Sequence, residues 1–200
     1  MKAPLGTATR SDQWLVIVLS AVVSVATIVT AARRVLEILP NQDVPVEVQF
    51  DTTTQPITIE GVGTVSAEIG RATVIAPDLP LASWLAALAG VIVPALAIVA
   101  IMVCLAWLCR HLMTGEFFSR TNTRLLTSIS MLILVAWVAD LVGRTFAGNG
   151  ALARLADEND GFTLSTTLPL QYLFIAIVVG SLAAAFHAGE RMQRDAEGLV

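Results

Sequence analysis

Charged side chains are scarce in this chain. Asp, Glu, Lys and Arg make up 14% of its 200 residues, against about 25% in soluble domains. That deficit, together with 56% apolar residues and a positive mean hydropathy, points to a membrane protein before any segment is read. The net charge of −4 gives no reason to expect direct nucleic-acid binding. Cysteine is nearly absent. Cys104 and Cys109 lie in or beside one apolar run. With a helical step of about 100° per residue they sit about 140° apart, which excludes easy pairing or a shared metal. Both read as small buried or lipid-facing residues. Histidine is equally sparse, with His111 and His187 alone. The chain carries no nucleophile–base–orienter set and no G-x-S-x-G, HExxH, Walker or paired-Cys pattern. Catalysis is therefore not expected, and neither a cofactor nor a metal is implied.

What the chain has is long apolar runs. A bilayer core of roughly 30 Å needs about 20 mostly apolar helical residues, and four stretches qualify: 14–32, 81–108, 125–142 and 169–188. Helices are expected because every backbone group in lipid must be paired internally. The fold class expected is an α-helical integral membrane protein, with four transmembrane helices in a bundle and a small antiparallel β-rich extracytoplasmic segment. The first run also has features of a cleaved signal peptide, with Lys2 and Arg10 before it. Its apolar stretch exceeds the usual 7–15-residue core, and retention as a helix is the expectation.

Lys and Arg in the flanks set the orientation. Lys2, Arg10, Arg110, Arg120, Arg124, Arg191 and Arg194 fall on one side; Arg33, Arg34, Arg71, Arg144 and Arg154 are spread over more residues on the other. This places the tail 1–13, the loop 109–124 and the tail 189–200 in the cytoplasm, and the loops 33–80 and 143–168 outside, in a multi-pass cell-membrane protein. Arg33 and Arg34 argue the other way unless they snorkel to headgroups or pair with Glu37.

Residues 44–75 change character. VPVEVQF, PITIEG and GTVSAEIGRATVIA alternate apolar and polar positions between Gly and Pro, the signal of strands. Three short strands are expected, with Pro45 and Pro56 at strand starts or an edge. A further strand, FTLSTT, and an acidic cluster of Asp157, Glu158 and Asp160 mark the second outer loop; a solvated turn is the expected reading of the cluster.

Small residues mark helix contacts in lipid. Such stripes are Ser20, Ser24, Thr27 and Ala31 on the first helix, Ser83, Ala87, Gly90, Pro94 and Ala97 on the second, and Ala176, Gly180 and Ala184 on the fourth. Pro94 is expected to kink its helix, as a shaped packing element or, less simply, a gating hinge. Asp140 is the one acid within a span, and Arg144 follows one turn later. An i,i+4 pair is the plain reading; an intramembrane ion site is the sharper one. His187 is expected to cap or hydrogen-bond a neighbour.

The central loop, HLMTGEFFSRTNTRLL, joins two antiparallel helices. Gly115 can end the second helix, Phe117 and Phe118 can dip into the interface, and Ser119 or Thr121 can cap the third helix. Arg110, Arg120 and Arg124 would meet anionic headgroups. GEFFSRTNTRLL also resembles the G-x-P-F-S/T … N … L turn of a bacterial membrane family, domain of unknown function 2975. The closing FHAGERMQRDAEGLV is similar to that family's tail, with Phe186, Gly189, Met192, Asp195 and Val200 at matching places. Phe117 stands where the family often has Pro, and Gly198 and Leu199 replace its usual Leu-Thr. The resemblance implies no activity. By analogy it implies a partnership with a small helix-turn-helix regulator.

Three functions follow as expectations. The first is a non-enzymatic sensor or protein-interaction module, with a cytoplasmic regulatory protein or a second copy as partner. The second is a component of a small transporter or channel. The third is a structural or assembly protein. The candidate interaction residues are Gly115, Phe117, Phe118, Ser119, Arg120, Arg124, Gly189, Met192, Asp195 and Val200; the candidate intramembrane polar or hinge residues are Pro94, Asp140, Arg144 and His187.

Overall fold

A computed structural model describes residues 10–61, 63–113, 119–155 and 168–197. The order of elements is α1 (Arg10–Ile38), β1 (Val44–Ile59), β2 (Gly63–Ala76), α2 (Leu81–Met113), α3 (Arg120–Leu155) and α4 (Leu170–Glu197). All four helices are long and apolar enough to cross a membrane. At 1.5 Å per residue, the 36 residues of α3 span about 54 Å, more than a bilayer core requires.

The helix ends have local causes. Pro40 stops α1, since the residue before a proline is pushed out of helical geometry. Asn41 follows with a φ of 51°. Ser119 caps α3: its Oγ accepts a hydrogen bond from the Asn122 backbone N–H at 3.2 Å, the bond an N-cap hydroxyl makes to the third helical residue. Within the helices, the hydroxyls of Ser24, Thr127 and Ser181 donate to the carbonyls four residues back. Such back-bonding satisfies a hydroxyl without a partner from outside the helix.

Two strands, not three, form between α1 and α2, paired antiparallel as a ribbon. Pairing runs from Val44↔Ala76 to Gln49↔Arg71, then resumes from Thr53↔Ile69 to Ile59↔Gly63. Between the two stretches β1 advances four positions and β2 two. The irregularity is a bulge between Gln49 and Thr53, and Thr53, Thr54, Gln55 and Pro56 all pair with β2, so the TTTQP stretch, expected as a break between strands, continues β1. Its β-branched threonines suit extended backbone, so two extra residues are absorbed without ending the strand. Pro45 is the second residue of β1, and Pro56 lies in its interior opposite Ser66. Both are tolerable in a two-stranded ribbon, where each strand has an unpaired edge. Gly61 and Gly63 carry the hairpin turn at φ of 88° and 94°, geometry that side chains disfavour.

The chain divides into two compact units. A sheet-bearing unit holds Ala32–Ile92 and Ala139–Leu168; a helical unit holds Met1–Ala31, Val93–Val138 and Pro169–Val200. The sheet-bearing unit contains a continuous apolar core, built from Ile38, Val44, Val46, Val48, Ala76 and Leu79 with Ala87, Ala147 and Ala151. The alternation predicted for VPVEV is obeyed: Val44, Val46 and Val48 are buried while Glu47 is exposed. Asn41 ties the ribbon's two feet together. Its Nδ2 donates to Asp78 Oδ1 and to the Leu79 carbonyl, and its Oδ1 accepts from the Leu79 N–H, each at 3.0 Å. The Trp84 indole N–H adds a bond to the Ile38 carbonyl at 2.9 Å.

In the same unit α2 and α3 approach until their backbones touch. A methyl group added to Gly143 would lie 2.5 Å from Gly90 Cα and 2.9 Å from the Ala86 carbonyl oxygen. This contact explains why α3 runs to Leu155 rather than ending near Val142. Gly143, Gly148 and Gly150 weaken a helix in isolation. Gly143 and Gly150, however, face Gly90 and Ser83 at distances only glycine allows. The other helices also outrun the sequence-based bounds, α1 to Ile38, α2 to Met113 and α4 to Glu197.

The helical unit is held differently. Ser130 Oγ, buried on α3, donates to the Ala176 carbonyl of α4 at 2.9 Å, and Gly180 lies against the same Ser130. Among the described residues of α4 the buried alanines are Ala176 and Ala183. Ala184, expected in that stripe, is exposed, so the contact face is rotated by one residue.

Candidate functional site

Two groups of polar residues stand out, one in each unit. In the helical unit, the first turn of α3 meets the last turns of α4. Arg120 Nε lies 3.6 Å from Glu190 Oε1, and His187 Nδ1 lies 3.9 Å from Glu190 Oε2. The Glu190 side chain is largely buried while Arg120 and His187 are mostly exposed. Asn122, two residues after Arg120, is fully buried. A buried carboxylate and a buried amide beside an exposed arginine fix the geometry of this corner, because polar groups taken from solvent need directional partners.

The sequence-predicted interaction residues distribute unevenly around it. Arg120 is in the corner and Ser119 caps the same turn. Arg124 is exposed one turn along α3. Met192 and Asp195 are exposed on α4, and Gly189 is half-buried beside Glu190. Gly115, Phe117, Phe118 and Val200 lie outside the described residues, as do FTLSTT and the acidic cluster of Asp157, Glu158 and Asp160. Glu190 and Asn122 were not singled out from the sequence. Asn122 does occupy the Asn of the central-loop pattern, a signal that could have drawn attention to it. Glu190 has no such marker.

In the sheet-bearing unit, Asp140 and Arg144 form the ion pair expected from their spacing. Arg34 pairs with Glu37 at 2.9 Å, as anticipated, and its second Nη donates to the Pro45 carbonyl at 2.6 Å. Glu47 pairs with Arg71 across the ribbon at 3.1 Å. Arg34, Glu47, Asp140 and Arg144 all line one cavity of about 200 Å³, which Gly90 and Gly143 also line. Sequence spacing links Asp140 to Arg144. It gives no sign that Arg34 and Glu47 join them, since these come from α1 and β1. Among the described residues no group of three or more His, Cys, Asp or Glu side chains is arranged to hold a metal ion. Cys104 and Cys109 are both free thiols.

The model of DUF2975, a family of proteins of unknown function, matches residues 49–200. The chain belongs to DUF2975. The match takes in β2, α2, α3 and α4, and with them the Arg120–Glu190 corner and the Asp140–Arg144 pair of this DUF2975 protein. Arg34 and Glu47 precede it. No curated protein and no solved structure matches this DUF2975 chain.

Proposed function

We propose that the chain is a four-span integral membrane protein, its helices packed as a bundle and both termini cytoplasmic, that acts as a non-enzymatic sensor or protein-interaction module. Lipid is its solvent. Leu96, Phe174 and Val25 expose 65%, 68% and 61% of their surface, and apolar side chains repeated along full helices at that exposure need an apolar medium. The Lys and Arg distribution supports the orientation.

The observation that carries the docking role is the Arg120–Glu190 pair. It joins the start of α3, which follows the central loop, to the end of α4, which leads into the tail. The first turn of α3 and the last turns of α4 are thereby joined in one surface. A cytoplasmic regulatory protein is the partner this reading names, and deletion of 189–200 tests it. With the chain still expressed and membrane-inserted, crosslinking in the native membrane should lose its cytoplasmic partner. Undiminished partner recovery would count against the reading.

The cavity supports a second reading, as a component of a small transporter. It holds four charged side chains, including Asp140 of the apolar run 125–142. Transport predicts solute flux in reconstituted vesicles that falls on Asp140→Asn or Pro94→Ala; flux indifferent to both removes this support.

A further inference from the structure

The cavity of the sheet-bearing unit has a size and a charge arrangement that together select a class of occupant. Its volume is about 200 Å³. That is below the ~300–1,000 Å³ of sites for drug-sized ligands. Ala87, Gly143 and Ala147 form part of its lining, and larger side chains there would fill the space. The part of an occupant that enters it is therefore small.

Its charge follows by elimination. Arg34 and Arg144 oppose a cation; Glu47 and Asp140 oppose an anion. An apolar guest would displace water from four charged groups and return no hydrogen bond, which is costly. A molecule carrying both signs meets both sets with charge-assisted bonds. Each of the four already has a protein partner: Arg34 bonds Glu37 and the Pro45 carbonyl, Arg144 pairs with Asp140, and Glu47 pairs with Arg71. The ion pairs of Asp140 and Glu47 each engage one carboxylate oxygen, Oδ2 and Oε1 respectively. The second oxygen of each can accept from an ammonium. All four side chains are between about one-third and one-half exposed, so the site opens to solvent. The apolar remainder of the lining, including Val44 and Val91, suits a short aliphatic side chain.

We propose that this cavity is a binding site for a small zwitterion of the α-amino-acid class, its carboxylate toward Arg34 and Arg144 and its ammonium toward Asp140 and Glu47. The site goes beyond the docking reading and stands without it.

The test uses the full chain purified in lipid nanodiscs and titrated calorimetrically with L-valine, L-alanine, isovalerate and isobutylamine. Isovalerate lacks valine's ammonium and isobutylamine lacks its carboxylate. At least one of the two amino acids should bind saturably, and each single-charge analogue at least tenfold more weakly. Asp140→Asn and Arg144→Gln should each weaken the amino acid tenfold or more while size-exclusion profile and circular dichroism stay unchanged. Deletion of 189–200 should leave binding intact, which separates this site from the docking surface. Absence of saturable binding by either amino acid overturns the proposal, as does equal binding of a single-charge analogue. Unaltered binding by the two folded variants also overturns it. Should both variants misfold, the comparison of valine with its two analogues on the unaltered chain decides alone.

Discussion

The two units of this chain solve the same problem, holding apolar helices in register, by different means. In the sheet-bearing unit the buried hydrophobic residues form a continuous cluster, with Ser83 a buried polar residue against Gly150, and α2 and α3 touch through glycine backbones. In the helical unit the buried set is mixed: Ala97, Leu126, Ile129, Ala176 and Ala183 share it with Ser20, Asn122, Ser130 and Glu190. The difference follows from the solvent proposed for each. Where a ribbon meets water, burying valines gains hydrophobic free energy, about 25 cal/mol per Å² of apolar surface. Between helices in lipid that gain vanishes, and close packing and interhelical hydrogen bonds must specify the contact. The sheet-bearing unit uses both devices; the helical unit relies on the second.

Substitution can break this contrast most sharply at the closest contact. Gly143→Leu should destabilise by about 3 kcal/mol or more, since its side chain meets Gly90 backbone that cannot turn aside. Thermal unfolding in detergent, followed by circular dichroism, would show a large loss or no folded protein. A near-normal midpoint would mean that the helices do not meet there. Asn41→Ala comes next. It removes three hydrogen bonds at the feet of the ribbon and should cost about 1–3 kcal/mol by leaving partners unsatisfied. Hydrogen exchange should rise in β1 and β2 while α4 is unaffected; uniform exchange across the chain would argue against a local clip.

The helical unit should be more forgiving. Gly180→Ala places a methyl 3.2 Å from Ser130 Oγ, a side-chain atom that can yield, so a loss below about 1 kcal/mol is expected. A cost equal to that of Gly143→Ala would erase the distinction between the units. Ser130→Ala is the mildest, near 0.6 kcal/mol, the average for hydrogen bonds between helices in membranes. A double-mutant cycle with Gly180→Ala would show whether the two share one contact.

Much of the fold was legible because it rests on local pattern. Four apolar runs identify α1 to α4, and the alternation in VPVEV identifies the buried face of β1. Asp140–Arg144 and Arg34–Glu37 are visible in spacing alone. The misreadings come from non-local compensation. Gly148 and Gly150 look like a loop until Ser83 lies beside Gly150 on a neighbouring helix. TTTQP looks like a break until β2 supplies partners for it beyond a bulge at 50–52. The one-residue error on α4 reflects a stripe in which Ala183, Ala184 and Ala185 are equally small, so composition cannot choose the face. The cavity and the Glu190 corner were hidden for the same reason. Arg34 and Glu47 lie about a hundred residues from Asp140, and nothing in the order of residues brings them together.

The Asn41 amide has a practical corollary. Chain enters the ribbon at Asn41 and leaves it at Leu79, and the two points are hydrogen-bonded to each other. The excursion between them is thus a closed detour pegged at its base, and its far tip at Glu60 and Gly61 is exposed. An epitope spliced into that tip need not disturb the helices, which makes it a natural beacon for asking, in intact cells, which side of the bilayer the ribbon occupies.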